Sequence, residues 1–125
     1  MYLKLFLSHL SKLNQFLSKF DYGQKMTYTA LMGWKVVLNN RSAKSYTKLP
    51  ESIKDIFDTL VCEIMEIGPV RGNWKHYSKL SPIKHHCHLT PSKRKPTYVA
   101  CWEVIDKEHK RVEVYYVGTH EKAPY

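Results

Sequence analysis

The chain has 125 residues, ordinary apolar content and a formal net charge of +9, which suits one domain with a short appendage and excludes a largely disordered polymer. No apolar run approaches a membrane span, so no membrane partner is expected, and the three cysteines show neither CxxC nor zinc-finger spacing. The positive balance instead favours a polyanion: nucleic acid, an anionic membrane surface or an acidic protein.

Residues 1–25 place Leu3, Phe6, Leu7, Leu10, Leu13, Leu17 and Phe20 at helical spacing, with Lys4, Ser8, Ser11, Lys12, Gln15 and Lys19 on the other side. This predicts an amphipathic helix stopped near Tyr22-Gly23. Lys4 interrupts the apolar stretch, which argues against a signal peptide. The helix packs on the domain, touches a membrane or partner, or is not translated, since Met26 and Met32 both offer alternative starts. Residues 1–31 are therefore read as a helix and linker, and 32–125 as the domain proper.

Gly33 to Leu38 reads as a first strand, and Asn39-Asn40 as the cap of a short helix over 41–48. Pro50 suits the first turn of a second helix. There Ile53, Ile56, Phe57, Leu60, Val61, Ile64 and Met65 form one apolar stripe, with Lys54, Asp55, Asp58, Glu63 and Glu66 largely off it, and Gly68-Pro69 ends it. Residues 70–82 look like a loop anchored by Trp74 and Tyr77. Three β-rich runs follow, 83–90, 96–105 and 111–118. The order β-α-α-β-β-β predicts an α+β fold, a helical hairpin packed on one face of an antiparallel sheet. Cys62, Cys87 and Cys101 sit among apolar neighbours and read as reduced, buried thiols of a cytoplasmic protein.

From Ile67 through Trp102 there is no Asp or Glu, yet this window holds Arg71, Lys75, Lys79, Lys84, Lys93, Arg94 and Lys95, with His76, His85, His86 and His88. Alternation along 83–90 puts Ile83, His85, Cys87 and Leu89 on the core face and Lys84, His86, His88 and Thr90 on the other. His85 is then a structural histidine. His86 and His88 stand side by side on the open face, roughly 7 Å apart at Cα. A His-x-His pair can hold a metal if a third ligand such as His120 joins it. No carboxylate lies nearby in sequence and the lysines repel a cation, so neither metal nor cofactor is expected. Acid–base chemistry on an RNA phosphodiester fits better. RNA supplies its own 2′-hydroxyl nucleophile, imidazoles titrate near neutrality, and Lys and Arg hold phosphate. Solvated surface histidines without a role remain the plain alternative.

The ordered set of RSAKSYTKLP with its amphipathic helix, YVACWEVID, VEVYYVGTHE and a tyrosine at Tyr125 resembles the RelE/ParE superfamily of bacterial toxins over about residues 33–125. It is more similar to the RelE branch, the ribosome-dependent mRNA interferases. The resemblance implies the toxin of a type II toxin-antitoxin system. Such a protein enters the ribosomal A site, cleaves mRNA there and is held by a cognate antitoxin. It implies that His86 and His88 take the family's alternate basic positions on the second strand. His120 follows the glycine of the last strand, and Tyr125 is the candidate for the family's C-terminal tyrosine. One of His86 and His88 then accepts the 2′-hydroxyl proton and His120 protonates the leaving oxygen, or the roles reverse. Lys84, Lys93, Arg94 and Lys95 bind RNA. Several relatives carry an arginine early in the third strand, where this chain has Thr97-Tyr98-Val99, so the 92–95 turn is expected to reach the phosphate instead. The ParE branch binds DNA gyrase and cuts no RNA. It is the alternative, disfavoured because a gyrase binder has no evident need for paired imidazoles.

Overall fold

The computed structural model describes residues 18–21, 26–29, 33–91, 93 and 95–125. Most of the helix predicted over 1–25 lies outside these residues. Its described part, Ser18–Asp21, is a strand (β1) paired antiparallel with β2, Met26–Thr29.

β2 pairs in turn with β3, Lys35–Leu38. In β3, Val36 and Leu38 point into the core. Asn39 then caps α1, Asn40–Thr47, accepting the Ser42 N–H at 2.8 Å through its side-chain oxygen. The Ser42 hydroxyl donates at 2.7 Å to the Val114 carbonyl, which fastens this helix to the sheet. Pro50 caps α2, Glu51–Ile67, and its carbonyl accepts the N–H groups of Ile53 and Lys54. Gly68 ends α2 at φ 123, a left-handed-side value that suits glycine.

The remaining strands are β4 (Ser78–Lys79), β5 (Lys84–His88), β6 (Tyr98–Asp106) and β7 (Arg111–Thr119). β4 was not anticipated; it lies inside the segment read as loop. The sheet order is β1-β2-β3-β7-β6-β5-β4. Its pairs are antiparallel except β3 with β7, which run parallel. The sheet is therefore mixed, which corrects the expectation of an antiparallel one. Face alternation fixes which residues are buried, but it says nothing about which edge the first strand joins or in which direction.

Both helices pack on one face of the sheet. Phe57, Leu60, Val61, Ile64 and Met65 of α2 meet Val36, Leu38, Leu89, Ala100, Trp102, Val112, Val114 and Val117 in one continuous core. Burying a side chain of this size is worth roughly 1.5–3 kcal/mol, so this layer sets the position of everything on the far face. A register shift between Cys101 and Trp102 matches Cys101 with Tyr116 but Trp102 with Val114, leaving Tyr115 as the extra residue of a bulge. The bulge lets Val112, Val114 and Val117 all reach the core despite their spacing. It also turns Tyr116 to the opposite face, where it joins Val99 and Cys101 in a second, smaller apolar cluster. The three cysteines are buried free thiols. Glu63, expected off the stripe, is instead buried beneath Arg71, which donates to it at 2.8 Å.

A candidate active site built from a row of imidazoles

The alternation of β5 holds through the strand. His85 and Cys87 are buried on the helix side, while Lys84, His86 and His88 lie on the other. His85 is a core histidine: its Nδ1 shares a 2.6 Å hydrogen bond with the Tyr77 hydroxyl and its ring stacks on Trp102. Beyond the ends of β5 Leu89 keeps its expected core face, but Ile83 and Thr90 do not. Ile83 is exposed, and Thr90 is buried with its hydroxyl accepting the Tyr98 N–H.

On the open face the register sets His86 beside Cys101 and Tyr116, and His88 beside Val99 and Gly118. The histidines therefore stand beside the small apolar cluster, on a rigid floor. After Thr119 the chain turns. The His120 N–H donates to the Thr97 carbonyl at 2.7 Å and a short 3-10 turn, His120–Lys122, follows. Ala123 packs against the cluster and Tyr125 comes back over His86.

The result is a run of rings. Tyr125 lies 4.9 Å from His86 and 5.6 Å from His120, centroid to centroid. His86 is 6.0 Å from His88, and His88 is 5.4 Å from His120. The fold thus brings together His86, His88, His120 and Tyr125, the residues singled out in the sequence. It adds one that sequence reasoning passed over. His76, on the loop after α2, sits 4.4 Å from His88. Its φ is 52, a left-handed value unusual for a residue other than glycine. The loop is held at both ends. Arg71 pairs with buried Glu63, and the Lys75 carbonyl accepts the His88 N–H at 2.8 Å. Only the acid-free, histidine-bearing window hinted at His76. Ser78, also passed over, shares a 2.8 Å hydrogen bond with His86 Nδ1 and so fixes that ring.

The basic residues divide. Lys95 lines an open cleft of about 560 Å³ together with His88, Thr97, Thr119, His120 and Glu121. Lys84 lies at the far end of β5 with its Nζ 5.5 Å over the Tyr115 ring. Lys93 is exposed on the 91–97 connection, and Arg94 lies outside the described residues.

Electrostatics follow from crowding. Burial lowers the His88 pKa to about 4, and the neighbouring His76, His120, His86 and Lys75 push in the same direction. Burial also lowers that of His86, against the opposing pull of a hydrogen bond with the Ser78 backbone. Both rings are thus biased to the neutral form that accepts a proton. Burial pushes the Tyr125 phenol up to about 12, so it remains a hydrogen-bonding hydroxyl at neutral pH. Among the described residues no group of three or more His, Cys, Asp or Glu is arranged to hold a metal ion, and no helix is long and apolar enough to cross a membrane. The arrangement can take a proton at one ring, give one at another across a cleft, and hold an anion with Lys95. Comparisons with protein-family models, with curated proteins and with solved structures find no match to this chain.

Proposed function

We propose that the chain is a RelE-like toxin that cleaves mRNA on the ribosome by metal-independent acid–base catalysis and so stops translation. The observation that carries this reading is the close set His88–His120, two imidazoles 5.4 Å apart on the wall of one cleft with Lys95. In this reading neutral His88 accepts the proton of the substrate 2′-hydroxyl. The 2′-oxygen attacks phosphorus and the bond to the 5′-oxygen breaks. His120 gives a proton to that leaving oxygen. Lys95, on the wall of the same cleft, offsets the charge that builds on the phosphoryl oxygens. The products are a 2′,3′-cyclic phosphate, or the 3′-phosphate from its hydrolysis, and a 5′-hydroxyl end. His86, fixed by Ser78 and covered by Tyr125, supports His88 rather than reacting, and Tyr125 offers a ring for a base to stack on.

The same reading supplies the partners and the compartment: the ribosomal A site with its mRNA, a cognate antitoxin that masks the basic face, and the cytoplasm where translation runs.

The test is mapping of 5′ ends on a short message in a purified translation system, with and without ribosomes. The full chain is compared with His88→Ala and His120→Ala at constant free magnesium. New 5′-hydroxyl ends on translated message, lost in both variants, are expected. A folded protein that leaves the message intact would sink the reading, and so would variants that cut as well as the parent.

A further inference from the structure

Beyond Thr119 from the imidazole cleft lies a second one, of about 230 Å³, between α1 and the end of β7. Thr119 lines both. Three cations stand on the wall of the second cleft, Arg41, Lys48 and Lys122, and no Asp or Glu lines it. They come from separate segments: the first turn of α1, the residue capping its C-terminal end, and the 3-10 turn after β7. Among the described residues none of the three forms an ion pair. Their like charges repel, and the fold gathers them without a counter-ion. The floor is shaped for close approach. Gly118 carries no side chain, and Tyr116 is pinned beneath by the 2.6 Å bond from its hydroxyl to the Thr119 carbonyl. The Arg41 guanidinium lies 6.0 Å from the Tyr116 ring centroid, on the edge of the cleft.

We propose that this second cleft is an anion subsite for a backbone phosphate of an RNA strand that passes over Thr119 from the imidazole cleft. The identity of the strand rests on the RNA-cleaving reading; the anion site rests on the three cations alone. A phosphodiester supplies the negative charge the cleft lacks. Two lysines and an arginine converging on it give charge-assisted hydrogen bonds without reading sequence. The cleft then holds the strand in register so that one particular linkage faces His88 and His120. It is a binding site, and it takes no part in the proton transfers.

The experiment uses the full chain and a labelled single-stranded hexanucleotide RNA methylated at every 2′-oxygen, which binds but cannot be cut by 2′-hydroxyl attack. The variant Arg41→Gln/Lys48→Gln/Lys122→Gln is compared with a control that loses the same charge elsewhere, Lys44→Gln/Lys107→Gln/Lys110→Asn. Removing the three cations that hold one phosphate is expected to weaken binding about tenfold or more at low salt, and to reduce the slope of log affinity against log salt by about 0.7. The control should stay close to the parent. Equal affinity and equal slope in the two triple variants overturn the proposal. If the cleft variant is poorly folded, Lys122→Glu on the exposed turn gives the same comparison. Inorganic phosphate is titrated as a second probe. Phosphate that binds the cleft as tightly as the RNA overturns the strand in favour of a small-anion site. Cleavage of unmodified message is scored separately. A parent that cuts no RNA, beside a cleft variant that alone loses binding, removes the nuclease reading and leaves the subsite standing.

Discussion

His76 and His88 lie ring to ring, 4.4 Å between centroids, although one is on a loop and the other on a strand. His76 both covers His88 and repels its charged form, and each effect lowers the His88 pKa, held at about 4. His76→Ala removes both, so the His88 pKa should climb toward the ordinary imidazole value. Titration of the imidazole C–H resonances by NMR reads this directly. If the chain cleaves RNA as proposed, the acidic limb of that rate should move up in pH with it, because the proposed base must be neutral to act. A His88 that already titrates near 6.5 in the parent would contradict the crowding argument.

Stability should depend on pH through the same residues. His85, His86 and His88 are all lowered from 6.5 by burial, so the folded state binds fewer protons than the unfolded chain below that value. The stabilisation is complete above pH 6.5 and is lost progressively as pH falls toward about 4, where His88 finally charges. Thermal melts between pH 7.5 and 5 should show a falling midpoint, and His88→Asn should flatten the fall. A midpoint that rises as the solution is acidified contradicts the sign.

Gly118 should resist substitution. A Cβ there would sit 2.8 Å from the Tyr116 hydroxyl and 3.1 Å from its Cζ. Gly118→Ala must displace a ring that is pinned to the Thr119 carbonyl, directly before His120. The expected loss is about 1–3 kcal/mol in urea unfolding. Tyr116→Phe in the same chain removes the nearer clash, so the double variant should lose less than the two singles added. Strict additivity would mean that the ring moves freely.

The buried pair under the His76 loop gives a larger effect. Glu63 is 1 % exposed and receives hydrogen bonds from both Arg71 and Asn73. Glu63→Ala strands a nearly buried guanidinium and should cost about 3–5 kcal/mol. Replacing Glu63 and Arg71 together by Met should cost less than Glu63→Ala alone, since no charge is then left without its partner. A loss below about 1 kcal/mol for Glu63→Ala would mean that Arg71 finds water instead.

What the sequence disclosed, and what it hid, divides along physical lines. Period-two alternation put His85 inside and His86 and His88 outside, because a strand with one buried face leaves little choice. The helix cap at Asn39 and the stop at Gly68 were equally local and equally legible. His76 was hidden because its place depends on a positive φ and on a loop folded back against β5, and neither leaves a periodic trace. Glu63 was hidden because a carboxylate on the edge of an apolar stripe looks the same whether it meets water or a buried arginine. The parallel partnership of β3 with β7 was hidden for a third reason: strand pairing between distant segments is a property of the assembled sheet.

That partnership has a consequence for how the protein comes into being. β7 lies between β3 and β6 and contributes Val112, Val114 and Val117 to the core, yet among the described strands it comes last along the chain. While a nascent chain still lacks it, β3 has no β6-side neighbour and the stripe of α2 has nothing complete to cover it. The His120 turn, which follows β7 directly, joins His88 later still. The pairing of His88 with His120 therefore waits on β7, and a chain whose β7 has not yet joined the sheet does not hold the two rings together.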